Sequence, residues 1–167
     1  MPASLSRLIS ILKSVGMEFT VNDIVAKAGL SPSTARRYVR EMVKQGVVTG
    51  FNGKYTVTDK GLLLLEGEAI YKKRVESAVA YVFTDEDGAP LYLKIDSVEK
   101  LYVALKYGFV PDRVIVHHLT RGFLFRWISE AVGAKMLARR IRDVKSVEEL
   151  VKTLEEYAGL ATRSGSF

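Results

Sequence analysis

The sequence predicts an α+β protein with two domains: an N-terminal domain of short helices with one β-hairpin, followed by a small α+β domain. Residues that begin and end helices recur along the first half, and beyond Gly46 the hydrophobic period changes from about 3.6 to 2. Charge supports a division into 1–77 and 78–167. The first segment carries 12 Lys and Arg against 7 Asp and Glu, which is +5 of the total formal charge of +6. A basic domain joined to a nearly neutral one indicates an anionic partner for the first.

Three helices are predicted in the first domain, each from a capping residue followed by apolar residues at helical spacing. Ser4, Thr20 and Ser31 are the caps, and Pro32 at the first helical position strengthens the start of the third helix. Glycines end these helices, so the expected ranges are about 4–15, 20–29 and 32–45, with a short extended segment at 17–19.

A β-hairpin is predicted after the third helix. Two runs rich in β-branched and aromatic residues, Val47–Thr49 and Lys54–Val57, lie on either side of Asn52-Gly53. This dipeptide between two such runs is a strong hairpin signal. A fourth helix is then expected from about residue 58 to Val75.

The second domain is predicted to mix strands and helices. The expected strands are Val79–Phe83, Leu91–Ile95 and Arg113–His118. The expected helices follow Ser97 to about Tyr107, then cover Phe123–Val132, Ala134–Arg142 and a last segment from Ser146 to about Tyr157. We expect the small, polar tail from about residue 160 to be frayed.

The third helix is predicted to carry a basic face. At 100° per residue, one side of the helix holds a serine and four cations but no acid: Ser33, Arg36, Arg37, Arg40 and Lys44. The opposite, packing side holds Ala35, Tyr38, Val39 and Met42. Ser31, Ser33 and Thr34 stand at the helix N-terminus, where hydroxyls and free amides suit phosphate oxygens.

The segments VNDIVAKAGLSPSTARRYVREMVKQGVV and GKYTVTDKG resemble the winged helix-turn-helix DNA-binding domain of archaeal and bacterial transcriptional regulators, over about residues 4–75. This resemblance implies double-stranded DNA as a partner, with the third helix in the major groove and the hairpin, or wing, on backbone or minor groove. The predicted DNA-binding residues are Ser31, Ser33, Thr34, Arg36, Arg37, Arg40, Lys44, Asn52 and Lys54. A winged helix that binds a protein in a larger complex is the alternative, because one fold hosts several functions.

Four consecutive leucines in the fourth helix point to a homodimer. Leu62, Leu63, Leu64 and Leu65 cover a whole helical turn, so burying all of them requires cover on more than one side. Many regulators that resemble this domain dimerise through the helix after the wing. The predicted dimer interface is therefore Leu62, Leu63, Leu64, Leu65, Ala69 and Ile70. The alternative is that the leucines pack within a single chain.

Composition excludes several classes of function. The chain has no cysteine and two histidines, so disulfides, thiolate metal sites and cysteine nucleophiles are excluded. Phosphate-binding glycine loops and nucleophile elbows are absent from the sequence, and we expect no enzyme, metal or cofactor. An active site assembled in space by the second domain stays open as an alternative.

With no long apolar run or signal segment, we expect a cytoplasmic protein without membrane contact.

The cluster HHLTRGFLFRWI weakly resembles part of an uncharacterised archaeal and bacterial domain, which implies no activity. On a strand His117 and His118 would face opposite ways, so a structural role is favoured over metal binding. Trp127 is expected in the core. Arg121 could bind an anion, and the other interpretation is a salt bridge to the acidic turn near Asp85. The role of this domain, as a ligand sensor or an assembly domain, stays open.

A second basic face is predicted on the helix at 134–142, where Lys135, Arg139 and Arg142 share one side. Contact with DNA backbone in a larger assembly is one interpretation of these cations. A solvated helix face is the favoured one, since charged side chains usually lie at the surface.

Overall fold

The computed structural model describes residues 4–160 of an α+β protein, as the sequence predicts. The chain divides into two compact units, Met1–Leu65 and Glu66–Phe167. This division falls inside a helix, whereas the sequence pattern favoured a boundary between residues 77 and 78. The predicted frayed tail lies almost wholly outside the described residues.

The first unit contains three helices, a short strand, a hairpin and the start of a fourth helix. Its elements are α1 Leu5–Val15, β1 Glu18–Phe19, α2 Val21–Ala28, α3 Pro32–Lys44, β2 Val48–Phe51, β3 Lys54–Val57 and the first part of α4, Asp59–Ile70. The three predicted caps are confirmed: the side chains of Ser4, Thr20 and Ser31 each accept a hydrogen bond from a backbone amide in the first turn. Thr20 and Asp23 form a complete capping box.

A three-stranded antiparallel sheet closes one side of this unit, in the order β1-β3-β2. The β2–β3 hairpin turns at Asn52 and Gly53, whose φ angles of 53° and 78° are those of a type I′ turn. Side chains of all three helices and the sheet form one apolar core, which includes Ile11, Ile24 and Met42. The helices are therefore held by packing as well as by their caps.

Helix α4 holds the four leucines and ends at Ile70, earlier than the predicted end at Val75. Leu63 and Leu64 are only 1% and 2% exposed in the single chain. Leu62 and Leu65 are partly buried, and with Leu64 they pack on the core of the first unit. The alternative, packing within a single chain, is what the structure shows for Leu63 and Leu64, and the dimer stays a prediction.

The second unit combines a two-stranded sheet with several helices. After α4 come a 3₁₀ turn at Ser77–Val79, then β4 Tyr81–Thr84, β5 Pro90–Ile95, α5 Val98–Lys106, α6 Asp112–Thr120, α7 Phe123–Arg126, a π-helical segment Trp127–Val132, α8 Lys135–Ile141 and α9 Val147–Tyr157. The strands β4 and β5 are antiparallel. Across residues 4–160, no helix combines the length and the apolarity needed to cross a bilayer.

The predicted strand Arg113–His118 is wrong, because this segment lies within the helix α6. Its buried residues, Val114, Ile115 and His118, recur at helical spacing and share one face. Pro111 precedes the first turn in an extended conformation, which suits a helix start. Burial of this face overrides the β preference of the run Val-Ile-Val.

Candidate nucleic-acid interface

Helix α3 is fixed in the first unit by its cap and by its buried side. The Ser31 hydroxyl accepts a hydrogen bond of 3.3 Å from the Thr34 amide, and Pro32 occupies the first helical position. Ala35, Val39 and Met42 are buried in the core, as predicted. The opposite side of α3 is consequently presented outward in one orientation.

The outward side of α3 is exposed and basic. The predicted face residues Ser33, Arg36, Arg37, Arg40 and Lys44 are all exposed. None of the ion pairs found among residues 4–160 involves a cation of this helix. Glu41, the one acid of α3, is partly buried and accepts a hydrogen bond from the Gln45 side chain. The four cations therefore have no carboxylate partner in the part of the chain that the structure describes.

Tyr38 packs against the core of the first unit, as predicted, and is partly buried. The Arg37 guanidinium lies over the Tyr38 ring, with its central carbon 5.2 Å from the ring centroid. Hydrogen bonds from the Arg7 and Arg37 side chains lower the pKa of the Tyr38 phenol. Sequence reasoning missed Arg7, a residue of α1, because no pattern in the sequence pairs it with α3.

The hydroxyl groups at the start of α3 form a small cluster. Ser31 Oγ donates to Thr34 Oγ1 at 2.9 Å and lies 3.3 Å from Ser33 Oγ. The hydroxyl groups of Ser31 and Thr34 are thus hydrogen-bonded to each other, and Ser31 also caps the helix. Ser33, the third predicted phosphate-binding hydroxyl, is exposed and does not take part in the cap.

The hairpin presents both predicted residues at its tip, since Asn52 and Lys54 are exposed. Next to them is Phe51, which is 80% exposed and was not predicted as a site residue. The signal for it was available in the sequence: an apolar residue directly before Asn-Gly belongs to the end of a strand, where the core no longer covers it.

Comparison with known protein families matches residues 5–76 to the family described as winged helix-turn-helix. The three helices, the short strand and the hairpin found here are the elements of that fold. Residues 5–76 form a winged helix-turn-helix domain. This is a DNA-binding fold. No curated protein and no solved structure is significantly similar to the chain.

The second unit contains a buried histidine whose ring nitrogens are both engaged. His118 is 2% exposed; its Nδ1 is hydrogen-bonded to the Tyr81 hydroxyl, and its Nε2 lies 3.0 Å from the Thr84 carbonyl oxygen and 3.1 Å from the Thr84 amide. Burial lowers the pKa of His118, so the ring is neutral at pH 7. Residues 4–160 hold no group of three or more His, Cys, Asp or Glu side chains that could bind a metal. The His118 ring thus links α6 to β4 through both of its nitrogens.

Other polar residues of the second unit form local contacts. The acidic turn pairs with Arg113, whose Nε lies 3.7 Å from Glu86 Oε1, and not, as one interpretation predicts, with Arg121. On α8, Lys135 reaches Ser129 and the Arg142 guanidinium lies over the Phe125 ring. Two of the three cations of the predicted α8 face, Lys135 and Arg142, thus have partners inside the unit.

Proposed function

We propose that this protein is a DNA-binding transcriptional regulator that inserts α3 into the major groove and rests its wing on the backbone or the minor groove. The observation that carries the proposal is the exposed face of α3, with four cations and no carboxylate partner. Like charges held together on a rigid helix repel one another, so an external polyanion gains affinity there without displacing an internal partner.

The chemical groups exposed on this face of α3 favour DNA over a protein partner. Protein-binding grooves usually expose aromatic or aliphatic anchors. The outward side of α3 offers mainly guanidinium, ammonium and hydroxyl groups, and its exposed large apolar side chain is Val43. Arginine forks suit guanine edges and phosphates, and a helix fits the width of the major groove. A protein-interaction module without its own DNA site is the competing function.

A homodimer belongs to this proposal as well. One recognition helix contacts only a few base pairs, and a two-fold axis would place two of them about one DNA turn apart. Leu63 and Leu64 give no support, because they are buried within the chain, and Leu62 and Leu65 are partly buried against the core of the first unit. Within the predicted interface Ala69 is exposed and Ile70 partly buried, and these two positions remain as candidates.

For the second unit we propose ligand sensing or assembly rather than catalysis. Its buried polar cluster, His118 with Tyr81 and Thr84, is occupied by internal hydrogen bonds. A cytoplasmic location is the one a regulator of transcription would need.

The test is a DNA-binding titration over a range of salt concentrations. Replacing Arg36, Arg37 and Arg40 together with alanine should leave the fold intact and weaken binding. The slope of log affinity against log salt should fall by about 0.9 for each DNA phosphate that the variant no longer neutralises.

The matched control is the triple alanine variant of Lys135, Arg139 and Arg142, which removes the same charge from the second unit. It should keep the wild-type slope. An equal reduction of the slope in both variants, or in neither, would contradict the assignment of α3 to DNA.

A further inference from the structure

Phe51 is the most exposed large hydrophobic side chain among the described residues of the first unit, with 80% of its surface in water. Single exposed apolar residues are common on proteins, so exposure alone assigns no role. What distinguishes Phe51 is its position at the tip of the wing, beside Lys54 and in the domain whose α3 carries four exposed cations without a carboxylate partner.

The strand register fixes which way Phe51 points. Phe51 and Lys54 are directly opposite each other across the β2–β3 hairpin, on either side of the type I′ turn. Facing pairs share a side of the sheet, so both side chains lie on its outer face. The next pair, Gly50 and Tyr55, lies on the inner face.

The inner face of the hairpin is already filled. The Tyr55 ring stacks on Phe19 with ring centroids 5.8 Å apart and crosses Gly50 so closely that a Cβ there would lie 2.5 Å from the ring. Phe51 therefore has no place in the core, and a one-residue change of register would be needed to bury it. The hairpin holds the phenyl ring in solvent.

The tip combines an apolar ring with a single cation. Residues 49–54 contain Lys54 and no acid. DNA offers a matching surface at the minor groove, where phosphates line the edges and the walls are formed by the carbon faces of deoxyribose. Proteins that enter this groove frequently place apolar side chains in it.

We propose that Phe51 enters the minor groove next to the major groove occupied by α3, packing against deoxyribose while Lys54 contacts a phosphate at the groove edge. This inference rests on the proposed function. The contact of Phe51 with deoxyribose would add a non-ionic contribution to the DNA affinity. Because this contact releases no counterions, its contribution should not depend on the salt concentration.

The first test compares Phe51→Ala with the wild-type protein on an A·T-rich duplex of about three helical turns, at several salt concentrations. Affinity should fall roughly tenfold at every salt concentration, since a buried phenyl ring contributes on the order of 1.4 kcal/mol or more, and the salt slope should not change. Tyr92→Ala is the matched control, because Tyr92 is a fully exposed aromatic residue on a strand of the second unit. It should bind like the wild type.

The second test places a reporter at the tip. In Phe51→Trp, the fluorescence of the added indole should be quenched when the duplex is added. The fluorescence of the wild type, which comes from the buried Trp127, should stay constant. Netropsin, which occupies the A·T minor groove, should reverse the quenching. Quenching that persists with netropsin bound would overturn the groove assignment.

The outcomes separate this inference from the proposed function. If the wild type binds with a salt-dependent affinity and Phe51→Ala binds equally well, only the role of Phe51 is overturned. If the wild type shows no salt-dependent binding, the proposed function itself fails. A reduced salt slope in Phe51→Ala would also overturn the inference, because it would mean that the variant neutralises fewer phosphates than the wild type.

Discussion

The indole Nε1 of Trp127 donates a hydrogen bond of 2.7 Å to the backbone carbonyl oxygen of Val79. Trp127 begins the π-helical segment, and Val79 ends the 3₁₀ turn before β4. The indole is 7% exposed and its ring centroid lies 5.4 Å from that of Tyr81. The Trp127 side chain thus connects the π-helical segment to the segment that precedes β4, both by packing and by the hydrogen bond of its indole N–H.

Truncating this side chain should destabilise the second unit. Trp127→Ala is expected to cost about 3–5 kcal/mol in free energy of unfolding, and Trp127→Phe less, because the phenyl ring preserves part of the packing. Urea denaturation followed by circular dichroism measures both. An alanine variant with the wild-type midpoint would show that the indole contributes nothing to stability.

Stability should also depend on pH through His118. Because burial lowers its pKa in the folded state, the unfolded chain binds the proton more readily, starting near its ordinary pKa of 6.5. The contribution of the neutral ring is complete above that pH and is lost as the pH falls below it. Melting temperatures measured between about pH 8 and pH 5 should decline accordingly.

One variant isolates the His118 effect. His118→Gln should melt lower than the wild type at pH 8, yet lose less stability on acidification, since the titrating group is gone. A His118→Gln variant that loses as much stability on acidification as the wild type would contradict the assignment of the pH dependence to His118.

Local chemistry made the first unit predictable. Its helices begin at the caps Thr20 and Ser31 and end at glycines, and its hairpin turns at Asn52-Gly53. Each of these signals acts over a few residues, so it can be recognised in the sequence alone. The basic face of α3 followed from helical geometry once the helix was placed. The pairing of Arg7 with Tyr38 joins two helices distant in sequence, and no local rule contains it.

The second unit was less predictable because its elements depend on tertiary burial. The run Val-Ile-Val within α6 has β propensity, and only the buried face that it shares with His118 makes it helical. The π-helical segment Trp127–Val132 has no sequence signal that distinguishes it from an ordinary helix.

Two glycines of α4 make close backbone contacts that should make alanine unfavourable. A Cβ on Gly67 would lie 2.0 Å from the Tyr157 carbonyl oxygen, and one on Gly61 would lie 2.3 Å from that of Val47. Alanine usually stabilises a helix interior by up to about 1 kcal/mol relative to glycine, but overpacking costs about 1–3 kcal/mol. We therefore expect Gly61→Ala and Gly67→Ala to lower the melting temperature of the protein, measured by thermal unfolding.

The comparison variant for these glycines is Ala69→Gly, at an exposed position of the same helix. It should cost about 1 kcal/mol or less, from helix propensity alone. If Gly67→Ala raised the melting temperature, the backbone of α4 would not approach Tyr157 as closely as described.

The oligomeric state decides how far the proposed DNA-binding mode extends. A single α3 contacts only a few base pairs, so affinity for an extended site requires a second copy. We expect sedimentation equilibrium at micromolar concentration to give twice the chain mass of 18.6 kDa. Because Leu63 and Leu64 are buried within the chain, their substitution would unfold the protein and would not test the interface.

Ala69→Glu is the informative variant, since Ala69 is exposed and belongs to the predicted interface. A carboxylate there would face its symmetry mate across a two-fold axis, where desolvation and like charge both oppose association. The variant should stay folded, sediment as a monomer and lose affinity for a duplex with two half-sites more than for one with a single half-site. A wild-type protein that is monomeric at this concentration would remove the dimer from the proposal and leave one winged domain per DNA site.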